Sequence, residues 1–411
     1  MRKAPEKWKA TTSGEICEYI TSGSRDWKSY YSDHGPLFVR TQDINQDRLD
    51  LSEVAHVNLP EKVEGKRSRI QPGDLLVTIT GANVGKVALV PEGIPEAYVS
   101  QSVGLMRLKD KQNGPFLHYF LQSDKTGRKQ VLDMVYGIGR PVLSLQNLRD
   151  IPVSLPPFPE QRRIVAEIEK QFSRLEEGVG ALKRVQANLK RYRAAVLKAA
   201  CEGQLVPGKA WPVRTVRDVT SIVTKGSSPN WQGFDYCEDG ILFVRSQNIG
   251  WGKLDLSDVA HLPVGFNHKE KKSVLKARDV LLNIVGASIG RAAVATSEIQ
   301  GGNVNQAVAV IRCKQETMLP EFLMVYLLSS ATQALIHSQK VDVARANFSL
   351  EDIKQMPVPV PSLAEQTRIV AEVERRLSVV EELEATVAAN LQRAARLRQS
   401  ILQKAFAGEL A

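Results

Sequence analysis

Two hydrophobic patterns alternate along the chain, and each occurs twice. Short apolar runs rich in β-branched residues, bounded by Gly, Pro and Asn, predict strands at residues 75–79 and 307–311, among other places. Between such runs, residues 115–121 and 320–328 predict helices. This mixture indicates a globular α+β domain of about 150 residues in each half of the chain.

After each of these regions the spacing of apolar residues changes to 3.5 positions, which predicts a coiled-coil helix of about 60 Å. The heptad residues of the first helix are Val165, Phe172, Val179, Ile168, Leu175, Leu182, Leu189 and Val196. Those of the second are Val370, Leu377, Leu391, Val373, Val380, Val387 and Ile401. A proline cluster precedes each helix, at 151–159 and 356–361. We interpret these prolines as ending the preceding element and as lacking the backbone donors that a strand needs.

Charge along the two helices predicts how they pair. The late half of the first, 183–198, has six basic residues and no acid, and the late half of the second is also basic. The early half of the second, 365–384, has six Glu against three Arg. A parallel pair would place the two basic halves together, so like-charge repulsion favours an antiparallel pair.

The whole pattern is an internal repeat at an offset of 205 residues. Residues 37–56 and 242–261 are identical at 13 of 20 positions. The sequence therefore predicts two globular α+β domains in tandem, joined by two long antiparallel coiled-coil helices, with a pseudo-twofold internal repeat. We expect the domains at 1–155 and 206–360, and the helices within 156–205 and 361–411.

Composition bears on the partner, the location and the cysteine chemistry of the protein. The 411 residues include 55 Lys and Arg against 45 Asp and Glu, a net charge of +10 that permits a nucleic-acid partner. There is no apolar run of 18 residues, so we expect no membrane span and a cytoplasmic location. The four cysteines are widely separated and predict reduced thiols, neither disulfides nor a zinc site.

Two motifs resemble catalytic sites, but each lacks a feature that such a site requires. The segment Gly81-Ala82-Asn83-Val84-Gly85-Lys86-Val87 has one residue too few between its glycines for a phosphate loop, and Val87 stands where Ser or Thr must bind magnesium. The trio Glu270-Lys271-Lys272 has the Glu-x-Lys form of nuclease sites but no Pro-Asp dipeptide to accompany it. The six histidines show no metal-ligand spacing, and we interpret the repeated pair His56 and His261 as structural. We expect a non-catalytic chain with no metal site.

Several motifs together resemble one family. They are Leu155-Pro156-Pro157-Phe158-Pro159-Glu160-Gln161, its repeat Pro361-Ser362-Leu363-Ala364-Glu365-Gln366, the segment 286–291, and the tail Ala407-Gly408-Glu409-Leu410. With the duplicated domain, the sequence resembles the specificity subunit of Type I restriction-modification systems, a host-defence complex that methylates DNA. In the second copy Pro361-Ser362 replaces the usual Pro-Pro.

The resemblance implies that each globular domain is a target-recognition domain for one half of a bipartite, asymmetric DNA site. It also implies that the helix pair sets the spacer between the halves and docks two methyltransferase subunits. Restriction and translocase subunits would complete the complex. No cofactor is expected on this chain, because S-adenosylmethionine, ATP and magnesium belong to the partner subunits.

The DNA contacts are expected from side chains near strand ends and Gly-rich turns, since Arg, Gln and Asn can pair with base edges and Lys with phosphates. The candidates are Arg40, Gln42, Asn45, Lys66, Arg67, Arg69, Lys86, Arg140, Arg245, Gln247, Asn248, Lys271, Lys272, Arg291 and Arg345. An alternative for residues shared by both copies, such as Arg40 and Arg245, is a scaffold role, because common residues cannot distinguish two half-sites. Segments 137–140 and 66–69 differ from 342–345 and 271–274, which favours them for specificity.

Two other functional classes remain open from the sequence. One is a stand-alone DNA-modifying enzyme, a nuclease or methyltransferase, with an unrecognised active site. The other is a purely structural coiled-coil connector, which would have no need of two large unequal domains.

Overall fold

The computed structural model describes residues 7–23, 27–60, 65–206, 210–338 and 347–410. The chain divides into two compact units, which are Met1–Leu182 with Ala389–Ala411, and Lys183–Ala388. This division differs from the four predicted segments because each long helix contributes to both units. We describe the units separately as unit 1 and unit 2.

Unit 1 contains eleven strands and four short α-helices among its described residues. The strands are β1 (Lys9–Thr12), β2 (Cys17–Ser22), β3 (Tyr31–Val39), β4 (Ile44–Asn45), β5 (Arg48–Leu49), β6 (Ala55–Val57), β7 (Leu75–Thr78), β8 (Val87–Leu89), β9 (Ala97–Val99), β10 (Val103–Leu108) and β11 (Pro152–Leu155). The short helices are α1 (Ser13–Ile16), α2 (Gly114–Gln122), α3 (Gly127–Asp133) and α4 (Leu145–Arg149), and the long helix α5 (Phe158–Cys201) follows.

The strands of unit 1 form an antiparallel sheet in the order β2-β10-β7-β8 and a mixed sheet in the order β6-β3-β9. The faces of the first sheet are covered by different groups of apolar residues. One face packs on α2 and the start of α5 through Phe116, Leu117 and Ile168. The other packs against the second sheet through Val39 and Val99.

Unit 2 repeats this arrangement. Its strands are β12 (Val213–Thr215), β13 (Thr220–Lys225), β14 (Ile241–Val244), β15 (Ala260–Leu262), β16 (Val280–Asn283), β17 (Ala292–Val294), β18 (Asn303–Val304), β19 (Val308–Cys313) and β20 (Pro357–Pro359). Its helices are α6 (Val216–Val219), α7 (Pro229–Gln232), α8 (Gly265–Lys269), α9 (Pro320–Leu328), α10 (Ser330–Ser338), α11 (Leu350–Gln355) and the long α12 (Leu363–Phe406). The sheet orders β13-β19-β16-β17 and β15-β14-β18 match those of unit 1 strand for strand.

The predicted strands and helices inside the domains are confirmed, but the interpretation of the proline clusters is wrong. Pro152–Leu155 pairs with Lys9–Thr12, and Pro357–Pro359 pairs with Val213–Thr215, both antiparallel. Each pair is a two-stranded sheet, so every strand in it has a free edge. Proline is tolerated at such an edge because no partner there needs its missing N–H.

The two predicted long helices are confirmed, each with 44 residues. Residues at heptad positions are buried in both, including Ile168, Phe172 and Val196 in α5 and Val373 and Val380 in α12. The burial follows the 3.5-residue spacing because each helix presents one apolar stripe and exposes its charged faces.

The Glu-Gln motif at the start of each long helix forms hydrogen bonds with other residues of the same unit. Trp8 Nε1 donates to Glu160 over 3.1 Å, and Trp211 Nε1 donates to Glu365 over 3.3 Å. Gln161 Nε2 donates to the Pro156 carbonyl over 2.8 Å, and Gln366 Nε2 donates to the Pro361 carbonyl over 2.9 Å. Both glutamines are buried, so the motif fixes the turn from the proline cluster into the helix.

Candidate nucleic-acid interface

Four loops of unit 1 meet at one edge of its sheets. They are 40–43 after β3, 79–86 after β7, 100–102 after β9, and 136–142 after α3. Hydrogen bonds join neighbouring loops: Ser100 N to Val39 O at 2.9 Å, Asn83 Nδ2 to Thr41 O at 3.5 Å, Ile79 N to Ser102 O at 2.9 Å, and Gly81 N to Pro141 O at 2.9 Å. We call this surface the loop edge of unit 1.

The Gly81–Lys86 segment at this edge joins two antiparallel strands, β7 and β8. Gly81 and Gly85 have φ of +95° and +87°, a region that favours glycine, so the turn needs both. A phosphate loop would lead into a helix N-terminus, which supplies the anion-binding amides. Since a strand follows here, the geometry supports the interpretation that the segment is not a nucleotide-binding loop.

Three predicted DNA-contact residues lie on the loop edge of unit 1. Gln42 and Arg140 are exposed and Lys86 is half-buried. The side chains of all three make neither an ion pair nor a hydrogen bond with another described residue. They are therefore available to an external ligand. Asn45, on the short hairpin of β4 and β5, is also exposed.

Arg40 lies at the same edge but is held by its own unit. Its guanidinium bonds both carboxylate oxygens of Asp43 at 3.1 and 3.2 Å, and it donates to the Glu53 carbonyl over 2.9 Å. The bond to Asp43 raises the pKa of Arg40. These contacts favour the scaffold alternative for Arg40 over direct contact with a base.

The basic turn Lys66–Arg69 borders the loop edge, because Val99 N at the end of β9 donates to Ser68 O over 2.8 Å. Lys66, Arg67 and Arg69 are all exposed. Arg67 donates to Thr21 Oγ1 over 3.4 Å, and Arg69 lies 3.9 Å from the Glu96 carboxylate. Both contacts are long, and the ion pair of Arg69 is exposed, so its exchange for a phosphate costs little free energy.

Unit 2 has an equivalent loop edge. Asn305 N donates to Val244 O over 3.1 Å, Asn283 Nδ2 donates to Ser246 O over 2.8 Å, and Phe348 N donates to Ile284 O over 2.9 Å. Arg291 closes the Gly286–Arg291 turn there, and its side chain makes neither a hydrogen bond nor an ion pair with another described residue. Lys271 and Lys272 are exposed, and Lys272 lies 3.7 Å from Glu270. Arg345 lies outside the described residues.

The other three predicted residues of unit 2 form one internal network. Arg245 Nη2 donates to the Asp258 carbonyl over 2.8 Å, and Gln247 Nε2 donates to the Asp258 carboxylate, also over 2.8 Å. Asn248 is only 2% exposed and donates to the Asp255 and Asp258 carbonyls. This network folds the segment after β14, and burial of Asn248 keeps it from any ligand in this conformation.

The sequence favoured segment 137–140 for specificity but did not predict that its apolar side chain would be exposed, and it indicated no role for other exposed apolar side chains. Tyr136 and Ile138 stand on the 136–142 loop of unit 1, and Trp231 in α7 of unit 2 is 76% exposed. The two glycines that flank Ile138 were the available signal, because they mark a tight turn with one large apolar residue between them.

Within the described part of the chain, no three His, Cys, Asp or Glu side chains come together in a group that could hold a metal ion. The described helices also include none with the length and apolar character needed to cross a membrane. His56 donates from Nδ1 to the Gly35 carbonyl over 2.8 Å, which supports its interpretation as structural.

Comparison with known proteins, by family model and by sequence identity, gives matches to Type I restriction specificity proteins. The family model described as the Type I restriction modification DNA specificity domain matches residues 5–182 and again 209–392. The Type I restriction enzyme EcoBI specificity subunit of Escherichia coli is 31% identical over 288 residues, covering 65% of this chain and 60% of that relative. The EcoKI specificity subunit of Escherichia coli strain K12 is 24% identical over 431 residues, covering 99% and 90% of the two chains.

Two solved structures share the fold. One, from work on complex assembly and conformational transition of the type I R-M system, has a TM-score of 0.77 at 22% identity and covers 99% of both chains. The other, the HsdS subunit from Thermoanaerobacter tengcongensis, has a TM-score of 0.55 at 21% identity and covers 99% of this chain and 98% of that one. With both copies of the family domain present in most of its length, the chain belongs to the family of Type I restriction-modification DNA specificity subunits.

Proposed function

We propose that this chain is the DNA sequence-recognition subunit of a Type I restriction-modification complex, in which each unit reads one half of a bipartite, asymmetric site through its loop edge. The observation that carries the proposal is the same convergence of loops in both units, with Gln42, Lys86 and Arg140 making no hydrogen bond or ion pair to described residues in unit 1, and Arg291 likewise in unit 2. Such side chains are those that pair with phosphates and base edges.

The chain itself contributes recognition and no chemistry in this proposal. Catalysis is assigned to partner subunits: two methyltransferase subunits that use S-adenosylmethionine, and restriction and translocase subunits that use ATP and magnesium. A cytoplasmic location follows from DNA as the ligand.

The long helices are proposed to act as an antiparallel spacer between the half-sites. Contacts within each unit support this orientation. In unit 1, Arg398, late in α12, lies 3.5 Å from Glu176 in α5, and its guanidinium stacks 3.9 Å from the centre of the Phe172 ring. In unit 2, Arg193, late in α5, lies 3.6 and 3.3 Å from Glu381 and Glu384 in α12. In each unit, a basic residue late in one long helix thus lies beside acidic residues of the other helix, as the charge pattern predicts.

The same helices are proposed to dock the methyltransferase subunits. Val185 and Tyr192 in α5, and Val379 and Leu383 in α12, are 42–50% exposed. Their spacing of seven and four residues places each pair on one face of its helix, as a partner helix would require.

The experiment is to reconstitute the chain with its methyltransferase partner and to exchange residues 1–155 for those of a relative. Sequencing of methylated DNA should show one half of the recognised motif changed and the other half retained. A change in both halves would contradict the assignment of one half-site to each unit.

The isolated chain provides the control for the enzyme alternative. It should transfer no methyl group from S-adenosylmethionine and should cut no DNA, whereas a stand-alone enzyme would do so without a partner.

A further inference from the structure

One aliphatic side chain of unit 1 stands entirely in solvent. Ile138 has a relative exposure of 107%, the highest among the large hydrophobic side chains of the described residues. A single exposed apolar side chain is common on protein surfaces, but burial of this one against a ligand would be favourable.

The turn that carries Ile138 is built by specific contacts. Tyr136 and Val142 exchange two backbone hydrogen bonds, of 3.0 and 2.8 Å, which close a short hairpin. Gly137 has φ of +95°, and a Cβ there would lie 2.6 Å from the Arg140 carbonyl oxygen. The turn therefore requires glycine, and Ile138 occupies its apex.

The hairpin is attached to the loop edge of unit 1. Gly81 N donates to Pro141 O and Leu143 N donates to Ile79 O, both over 2.9 Å. These bonds join the base of the hairpin to the turn that carries Lys86. Arg140, next to the apex, is exposed. An apolar tip is thus flanked by cationic side chains on the surface proposed to face DNA.

The chemistry of duplex DNA limits what an isoleucine can recognise there. Its side chain has no hydrogen-bonding group, so it cannot read the donors and acceptors of the bases. The 5-methyl group of thymine in the major groove is the apolar feature that distinguishes one base from the others. A hairpin is also narrow enough to enter that groove, which admits two-stranded ribbons.

We propose that the 136–142 hairpin enters the major groove of the half-site read by unit 1, and that Ile138 selects thymine through contact with its 5-methyl group. Arg140 and Lys86 hold the flanking phosphates. This assignment rests on the proposed function and names a specificity-determining residue within it. The corresponding residue of the second copy, Val343, lies outside the described residues.

The test uses the full chain in complex with its methyltransferase partner. After the methylated motif has been mapped, duplexes are made in which each thymine of that half-site is replaced singly by deoxyuracil, which removes only the methyl group. For the wild-type chain, one replacement should lower kcat/KM for methylation by about fourfold, the effect of one buried carbon. Ile138→Ala should be less active on the thymine duplex and insensitive to that replacement.

Two controls separate this result from a general loss of binding. Val213→Ala, at a residue that is 66% exposed on strand β12, should keep the wild-type response to deoxyuracil. Replacement of thymines in the other half-site should affect the wild-type chain and Ile138→Ala equally.

The proposal is overturned if no deoxyuracil position in the half-site affects the wild-type chain, or if Ile138→Ala keeps the wild-type sensitivity. Failure of the proposed function looks different, because the wild-type complex would then methylate no specific sequence even on unmodified DNA.

Discussion

At the scale of single residues, the same buried ion pair occurs in both units. Arg107 bonds both oxygens of Asp74 at 2.9 and 2.7 Å, and Arg312 bonds both oxygens of Asp279 at 2.7 Å. Both aspartates are 1% exposed. The two pairs are related by the 205-residue offset, yet an aspartate and an arginine 33 positions apart give no sign in the sequence that they will meet.

The first prediction is that Asp74→Ala or Asp279→Ala lowers the free energy of unfolding of the affected unit by about 3 kcal/mol, because the arginine then stays partly buried without its counter-charge. Urea unfolding followed by hydrogen exchange, which reports on each unit separately, would measure it. Asp133→Ala removes the exposed ion pair of Lys129 and should change stability by less than about 0.5 kcal/mol. An equal loss in all three variants would contradict the burial argument.

The second prediction concerns pH. Burial lowers the pKa of His118 in α2, although its Nε2 donates to the Asp47 carbonyl over 2.8 Å. The unfolded chain therefore takes up this proton first as the pH falls. Unit 1 should lose stability from about pH 6.5 downward, by at most about 1.4 kcal/mol per pH unit.

The comparison variant is His118→Gln, which keeps a side-chain donor but does not titrate. Its unfolding free energy, measured by urea titration from pH 7 to pH 5, should depend less steeply on pH than that of the wild-type chain.

At the scale of elements, the repeated Glu-Gln motif has different surroundings in its two copies. Gln366 Oε1 accepts from Leu319 N over 2.7 Å, and its Nε2 also donates to the Thr317 carbonyl over 2.9 Å. In the first copy, Gln161 Nε2 donates to Asn113 Oδ1 over 3.0 Å, whereas Gln161 Oε1 is buried without a partner among the described residues.

The third prediction follows from that difference. Gln366→Leu removes the hydrogen-bond partner of three backbone groups, one in a buried bond and two in partly buried bonds, and should destabilise unit 2 by about 3 kcal/mol. Gln161→Leu also removes an acceptor that was already unpaired, so it should lower the free energy of unfolding of unit 1 by less than Gln366→Leu lowers that of unit 2. Hydrogen exchange of α9 and α2 would compare the two, with Gln392→Leu at an exposed position of α12 as control. Equal losses at both glutamines would contradict this explanation.

Packing of the long helices also differs between the units. In unit 1, Phe172 is 3% exposed and lies between Tyr119 and the Arg398 guanidinium. The corresponding residues of unit 2 are Leu377 and Met324, which line an open groove of about 860 Å³. The heptad spacing predicted both helices but could not show this groove, because its volume depends on side chains from α9 and α12 together.

At the scale of the whole molecule, the position of the unit boundary determines how the proposed spacer should be tested. Val196, Leu197 and Ala200 near the end of α5 are buried in the core of unit 2. An insertion there would disturb that core. The chain passes from one unit to the other after Leu182 in α5 and after Ala388 in α12, and neither residue belongs to the apolar core of its unit, so both helices are lengthened at these positions.

The fourth prediction is that four helix-forming residues inserted at both boundaries lengthen the helix pair by about 6 Å. Since DNA rises about 3.4 Å per base pair along each strand, the preferred spacer should grow by one or two base pairs while both half-sites stay the same. Sequencing of methylated DNA would measure it. Four residues inserted at the exposed turn of Gly93 should leave the spacer unchanged, and an unchanged spacer in the helix variant would mean that the methyltransferase subunits set the distance.

By itself, the sequence determined the features that follow from local periodicity and from repetition. These are the two α+β domains, both long helices, the family, and the charge opposition now seen as Arg193 with Glu381 and Arg398 with Glu176. Periodicity and charge are readable from one sequence because each residue contributes according to its own type and its position along the chain.

Only the tertiary structure decided which of the candidate DNA-contact side chains are free of bonds within the protein and so available to a ligand. Arg40 and Gln42 lie two positions apart in one segment, yet Arg40 is paired with Asp43 while Gln42 is exposed. It also showed that the proline clusters form edge strands and that Ile138 stands at the apex of a hairpin. These outcomes depend on partners distant in the chain, and no local pattern specifies which distant group will satisfy a given charge or cover a given apolar surface.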